Sequence, residues 1–335
     1  MKFFGIESFL IQGTSINSSL KDSPYDRLPL SSKNLVRKEI WDLSKNSAGI
    51  SIKFITDSQS VTVKWLLLNN FKMNHMPNSG IKGIDLYCRS SKRWQYVGSG
   101  IPQGKSNEQT IIKNLSIKKR EFKLYLPLYD GLKKLEIGIQ NQASIEKPPK
   151  STKKPIVFYG TSITQGGCAS RPGLAHTNII SRKIDVDCIN YGFSGNGRME
   201  NTIASILAET DALLYFIDCL ANMTRIQVAN NTMPLVKTIR KKNPTTPIVF
   251  IENIIFESGY FNKKIKNEIE EKNIELKTQF DKMINGNIKN IFYISQKGAI
   301  GEDHEGTVDG VHFNDLGFMR YSDFLITNFK KMKIL

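Results

Sequence analysis

Between residues 36 and 140, apolar and polar side chains alternate in short runs. Ile50, Ile52 and Phe54 alternate with Ser51 and Lys53, and Val61, Val63, Trp65 and Leu67 form a second run. Phe122, Leu124 and Leu126 alternate with Lys123 and Tyr125; Leu135, Ile137 and Ile139 follow. A period of two sends successive side chains to opposite faces of a strand, so each run predicts a half-buried antiparallel strand. Gly, Asn, Asp and Ser between the runs supply turns. The front half is therefore expected to be an all-β, jelly-roll-like sandwich, with no helical period competing.

Beyond it the pattern changes. Apolar runs at 156–159, 186–191, 212–217, 248–251 and 291–294 alternate with helix-like stretches at 173–184, 200–209, 226–243, 265–285 and 315–331. Five short apolar runs separated by helices specify a five-stranded parallel sheet covered on both faces, a three-layer α/β domain. The polar segment at the join holds Pro148, Pro149 and Pro155, which disfavour both helix and central strand. The expected division is a sandwich domain at 1–147, a linker at 148–155 and an α/β domain at 156–335. A length of 335 residues also suits two cores better than one.

In open parallel sheets, ligands bind at the carboxyl ends of the strands. Ser162 follows the first predicted strand, Gly195 the second and Asn222 the third; Asp309 and His312 lie in a long loop after the fifth. A serine hydroxyl needs a base to become a nucleophile, and that base needs an orienting group. His312 can be the base, and Asp309, three residues before it, can accept from the far ring nitrogen. Singly, each has a plainer reading: Ser162 could cap a helix, and Gly195 and Asn222 are ordinary turn residues. Together, Gly195, Asn222 and the Ser162 N–H can form an oxyanion hole. Gly160-Thr161-Ser162-Ile163-Thr164 is not the G-x-S-x-G elbow, because Thr164 stands in the last position. His176, in a predicted helix, and His304, between two acids, rank below His312 as the base. Arg171 can contact substrate or pair with a nearby acid.

The four segments, in this order, resemble the SGNH (GDSL-type) hydrolases over residues 155–330. That resemblance implies Ser162 as nucleophile, His312 as base, Asp309 as its partner, and Ser162, Gly195 and Asn222 as the oxyanion hole. Thr161 stands where the Gly-Asp-Ser of the family name has a carboxylate. In the front half, Pro24-Tyr25-Asp26-Arg27-Leu28-Pro29 and Gly83-Ile84-Asp85-Leu86-Tyr87 resemble the bacterial subgroup in which a β-sandwich with a G-x-D-L-Y motif precedes the SGNH domain. Gly83–Tyr87 could equally be a plain strand entry. The resemblance implies a secreted or periplasmic serine esterase that needs no cofactor or metal and removes small acyl groups, often acetyl, from carbohydrates. The alternatives are a lipase or thioesterase, for which no long apolar lid is visible, and a carbohydrate-binding protein on a retired hydrolase fold.

Composition changes this picture little. With 47 Lys and Arg against 31 Asp and Glu the net charge is +16, which invites a nucleic-acid partner. The basic residues are scattered in pairs such as Lys133-Lys134, Lys241-Lys242 and Lys263-Lys264, without an aromatic-interleaved stripe, so no nucleic-acid partner is expected. The four cysteines show no C-x-x-C spacing and read as buried free thiols. No run approaches the ~20 apolar residues of a membrane helix. Residues 1–7 lack the apolar core of a secretion signal, so the chain either stays in the cytosol or has had a signal removed.

Overall fold

The structure is a computed structural model and describes residues 1–335. The front half contains β1 (Lys2–Phe4), β2 (Leu10–Gln12), α1 (Lys38–Ser44), β3 (Ser51–Thr56), β4 (Val61–Leu67), α2 (Asn78–Ile81), β5 (Ile84–Ser90), β6 (Arg93–Gly100), β7 (Ser106–Ile112), β8 (Arg120–Tyr125), β9 (Leu132–Ile139) and β10 (Ile145–Glu146). The strands form two antiparallel sheets, one ordered β1-β9-β4-β7 and the other β10-β3-β8-β5-β6 with β2 beside β3. The alternating residues pair as their period requires: Ile52 lies opposite Leu124 and Phe54 opposite Phe122 in one sheet, Val63 opposite Ile137 and Trp65 opposite Leu135 in the other. All eight are buried in one apolar cluster between the sheets.

Two short helices interrupt this half, where none was expected. α1 has seven residues and α2 four, too few for a helical period to show. α1 does not serve the sandwich: Ile40 and Trp41, with Leu28 and Val36, join the apolar cluster of the other domain.

The second half contains β11 (Ile156–Gly160), α3 (Ser162–Gln165), α4 (His176–Ile184), β12 (Cys188–Gly192), α5 (Asn201–Ala208), β13 (Leu214–Asp218), α6 (Arg225–Lys242), β14 (Ile248–Ile251), α7 (Lys263–Asn285), β15 (Ile291–Ile294) and α8 (Asp315–Lys331). Its five strands are parallel, in the order β12-β11-β13-β14-β15. Alternate residues of β11 feed opposite cores: Val157 and Tyr159 pack with Leu207, Val236 and Leu276 of α5, α6 and α7, and Ile156 and Phe158 with Ile179 and Phe329 of α4 and α8. The chain leaves β11 to one side for β12 and then returns to the other for β13, so the strand ends on either side of β11 and β13 form the crevice at the topological switch point.

Residues 147–155 between β10 and β11 carry no helix or strand. The apolar cores nevertheless cross that point, because Ala48, Met76, Ile81, Leu128 and Tyr129 of the front half pack with the α4–α8 face of the parallel sheet. No helix is long and apolar enough to cross a membrane.

Candidate active site

Strand β11 ends at Gly160, where a Cβ would stand 2.1 Å from Thr164 Oγ1 and 2.6 Å from the Asp218 carbonyl oxygen, so no larger residue fits. Thr161 then caps α3, its hydroxyl accepting from the Ile163 N–H at 3.3 Å. Thr161 thus does locally what a short polar capping side chain must do, and Ser162 opens the helix with its side chain toward the crevice. The Ser162 carbonyl is fixed by the N–H groups of Gly166 and Gly167 at 3.0 and 2.7 Å and by the Tyr129 hydroxyl at 3.3 Å.

Ser162 Oγ lies 2.9 Å from His312 Nε2, and His312 Nδ1 lies 2.7 Å from Asp309 Oδ2. Three residues suffice to bring acid and base together because Gly310, at φ +85°, turns the chain left-handed. The other oxygen, Asp309 Oδ1, accepts from the N–H groups of Val311 and His312 at 3.0 and 2.8 Å. Partial burial would raise the Asp309 pKa, but these N–H groups and the imidazole outweigh it and hold the carboxyl below its ordinary value. The loop is closed by the Val308 N–H donating to the His312 carbonyl at 2.8 Å and by Asn314, which caps α8 through the Gly317 N–H at 2.9 Å.

Asn222 Oδ1 accepts from the N–H of Gly197, two residues past Gly195, at 3.3 Å. That bond directs the Asn222 NH2 away, and neither it nor the Ser162 and Gly195 N–H groups bond other protein atoms. Gly197 packs so closely on the end of β11 that a Cβ there would be 2.1 Å from the Gly160 carbonyl oxygen. The 193–197 loop is held by Arg37, which bonds Asn196 Oδ1 at 2.7 Å and Glu200 at 2.6 Å. Gln165, fully buried, accepts from the Ser194 N–H at 3.0 Å and donates to the Leu128 carbonyl at 3.1 Å.

Arg171 has the acid partner and not a free head: Nη1 lies 2.8 Å from Asp85 Oδ2 and 2.6 Å from the Tyr87 hydroxyl, and the guanidinium lies over the Tyr96 ring. Of the two readings the sequence left open for Arg171, this is the pairing with an acid. Asp85, the acid of the G-x-D-L-Y segment, is fully buried and also accepts from the Gly173 N–H at 2.7 Å and the Ser99 hydroxyl at 2.5 Å. That segment is therefore a clamp on the 171–173 loop, a role the sequence left open. His176 is buried among Phe158, Phe318 and Tyr321, where burial pushes its pKa down to about 3. His304 is exposed and bonds Glu257 at 2.8 Å. Neither reaches Ser162. All four cysteines are free; three are buried and Cys88 is half-buried.

Sequence reasoning missed Arg27. It is 2% exposed and donates to four carbonyl oxygens, those of Leu43 and Asn46 in the front half and of Asn190 and Gly192 at the end of β12. The one signal was its place in the Pro24–Pro29 segment, since nothing in a lone arginine announces burial.

Beside the crevice, Asp218 ends β13 with only the Tyr321 hydroxyl donating to its side chain, at 2.9 Å, and burial pushes its carboxyl up to about 6. A carboxyl raised above its unfolded value of 3.8 contributes stability that is present below that value and lost as pH rises through about 6. Asp218→Asn keeps an oxygen for Tyr321 and removes the charge. Its gain in stability over the parent is expected to be near zero at about pH 3 and to level off above about pH 7 at about 3 kcal/mol. Urea midpoints across that range check this, and a gain independent of pH would contradict it.

The sequence profile of the GDSL-like lipase/acylhydrolase family matches residues 153–330, and that of the N-terminal G-x-D-L-Y domain of SGNH-hydrolase-type esterases matches residues 1–145. No curated relative matches the chain. Among solved structures, a candidate GDSL-like lipase from Bacteroides ovatus ATCC 8483 is 36% identical, with a TM-score of 0.94 over 98% of this chain and 97% of that one. A salicylyl-acyltransferase from a tetracycline biosynthetic pathway superposes with a TM-score of 0.83 over 100% and 98% of the two chains, at 16% identity. An acetyl xylan esterase from the rumen bacterium Butyrivibrio proteoclasticus superposes at 0.62 over both chains entire, at 9% identity. These last two share the fold. The parallel sheet, its sandwich partner and the two profile matches together place the chain in the GDSL-like lipase/acylhydrolase family of carboxylic ester hydrolases, in the branch with an N-terminal G-x-D-L-Y domain.

Proposed function

We propose that the protein is a serine esterase that removes small acyl groups, acetyl foremost, from carbohydrates through an acyl-enzyme. The observation that carries this is the continuous line from Ser162 Oγ to His312 Nε2 at 2.9 Å and from His312 Nδ1 to Asp309 Oδ2 at 2.7 Å. Ser162 Oγ attacks the ester carbonyl carbon while His312 Nε2 takes its proton. The Ser162 and Gly195 N–H groups and the Asn222 NH2 receive the oxyanion. Collapse expels the sugar hydroxyl, protonated by His312, and water repeats the sequence on the acyl-serine to release the acid.

The shared fold of the acetyl xylan esterase supports acetyl on a sugar over a long acyl chain. Hydrolysis of p-nitrophenyl esters of two, four and eight carbons is expected to favour acetate, and acetate release from acetylated xylan tests the glycan. Preference for the eight-carbon ester would favour a lipase instead. Asn222→Ala is expected to lower kcat by about 10²- to 10³-fold with little change in KM, the cost of one oxyanion donor; an equal fall in acyl-chain binding with kcat intact would remove Asn222 from that role.

A further inference from the structure

Cys168 takes no part in the proposed reaction, yet it stands beside the groups that do. One nitrogen each of His75 and His312, Cys168 Sγ and a carboxylate oxygen of Asp309 all lie within 4.8 Å of one another. The ligands come from three places in the fold: His75 from the loop between β4 and α2, Cys168 from the turn after α3, and the other two from the loop before α8. No spacing in the sequence announces the set, although it uses two of the chain's four histidines.

Cys168, Asp309 and His312 are held in place by their surroundings, and exposed His75 faces them. Cys168 is buried, unpaired and at φ +71°, and the preceding Gly167 bonds the Ser162 carbonyl at 2.7 Å. A Cβ on Gly167 would be 3.3 Å from His312 Cδ2, so this turn lies against the imidazole. The His75 ring sits 5.7 Å from the His312 ring, and its Nδ1 meets only the neighbouring Asn74 Oδ1, which leaves Nε2 without a partner. The start of its loop is tied down by Asp130, which accepts from the N–H groups of Asn69, Asn70 and Phe71.

We propose that His75, Cys168, Asp309 and His312 form a binding site for a soft divalent cation, Zn²⁺ foremost, and that filling it switches the esterase off. Two imidazoles, a thiolate and a carboxylate are the donor types Zn²⁺ takes in tetrahedral sites, whereas Mg²⁺ and Ca²⁺ want oxygen throughout. Zinc bonds of about 2.0–2.3 Å put tetrahedral ligand atoms about 3.3–3.8 Å apart, so the set must contract by roughly 1 Å. Exposed His75 can supply most of that movement. The thiol gives up its proton to solvent on coordination. Inhibition follows because both His312 nitrogens are in use: a cation on Nδ1 displaces Asp309, and one on Nε2 takes the lone pair that must accept the Ser162 proton. The inhibitory half rests on the proposed serine mechanism, and the binding half does not.

The test uses the whole protein with two probes. Zn²⁺ is expected to inhibit p-nitrophenyl acetate hydrolysis reversibly, with EDTA restoring it. His75→Ala and Cys168→Ser, unchanged in metal-free activity, should each raise the Zn²⁺ concentration for half inhibition by about tenfold or more. Co²⁺ should give the visible bands of a tetrahedral site and a thiolate charge-transfer band, the latter lost in Cys168→Ser while the fold is retained by circular dichroism. Equal inhibition of parent and variants, or Co²⁺ without a charge-transfer band, would overturn the site. The band without Zn²⁺ inhibition would overturn the switch. Were no ester hydrolysed at all, the cobalt spectrum would still decide the site.

Discussion

Ser162→Ala is expected to lower kcat/KM for p-nitrophenyl acetate by about 10⁴-fold or more, and His312→Ala by a similar factor, with the double variant no worse than either. The non-additivity is the sharper part of the expectation. If Ser162 and His312 act as one unit, removal of either stops the same step, and the residual rate comes from the oxyanion donors alone. Asp309→Asn is expected to cost about 10⁴-fold for a different reason. Asp309 Oδ1 accepts from two backbone N–H groups, so an Asn would keep its oxygen there and turn its NH2 toward His312 Nδ1. That donor fixes the wrong tautomer, with the proton on Nε2 and nothing left to take the Ser162 proton. Steady-state kinetics of the four variants decide this. Two single variants whose losses multiply in the double would mean that Ser162 and His312 act independently, and the proposed mechanism would fall.

Much of this was readable from the chain because it depends on short-range pattern. The strands β11 to β15 are four or five residues each and predominantly apolar, with Asn190 the one polar residue inside a strand, since both faces of a covered parallel sheet are buried, and such runs stand out. Ser162, Asp309 and His312 were readable because each follows a strand end and the acid and base are three residues apart. α1 was not readable: its seven residues pack Ile40 and Trp41 onto a domain that begins more than a hundred residues later. Strands β5 to β7 alternate poorly because β6 and β7 keep many residues half-exposed on both faces. The contacts between Asp85 and Arg171 and between Gln165 and Ser194 were invisible for the same reason as Arg27. Their partners are defined by three-dimensional proximity, and a buried ion or amide has no signature until its acceptors are known.

Arg27→Ala is expected to be the most destabilising single change in the front half, and to harm catalysis through the 193–197 loop without touching the reacting atoms. Its guanidinium donates to Leu43, Asn46, Asn190 and Gly192 and lies 4.9 Å from the centre of the Phe193 ring. Burial pushes its pKa down to about 9, so it is still charged at neutral pH. Alanine would strand the three buried carbonyl groups of Asn46, Asn190 and Gly192, while that of Leu43 keeps the Asn46 N–H; at about 1 kcal/mol or more each, a loss of about 3 kcal/mol or greater is expected in urea unfolding. Arg171→Ala should cost less, because Asp85 would keep its bonds from Gly173 and Ser99. Arg27→Lys separates stability from positioning. A lysine has three donors on one compact head and cannot span four carbonyls in a plane, so a folded Arg27→Lys protein would let the end of β12 drift. Since the 193–197 loop leaves from that end, the Gly195 N–H would lose its aim at the oxyanion. The expected result is a fall in kcat with KM for acetate esters little changed, as for Asn222→Ala. A folded Arg27→Lys protein with full kcat would mean that Arg27 joins the two domains without setting the oxyanion hole.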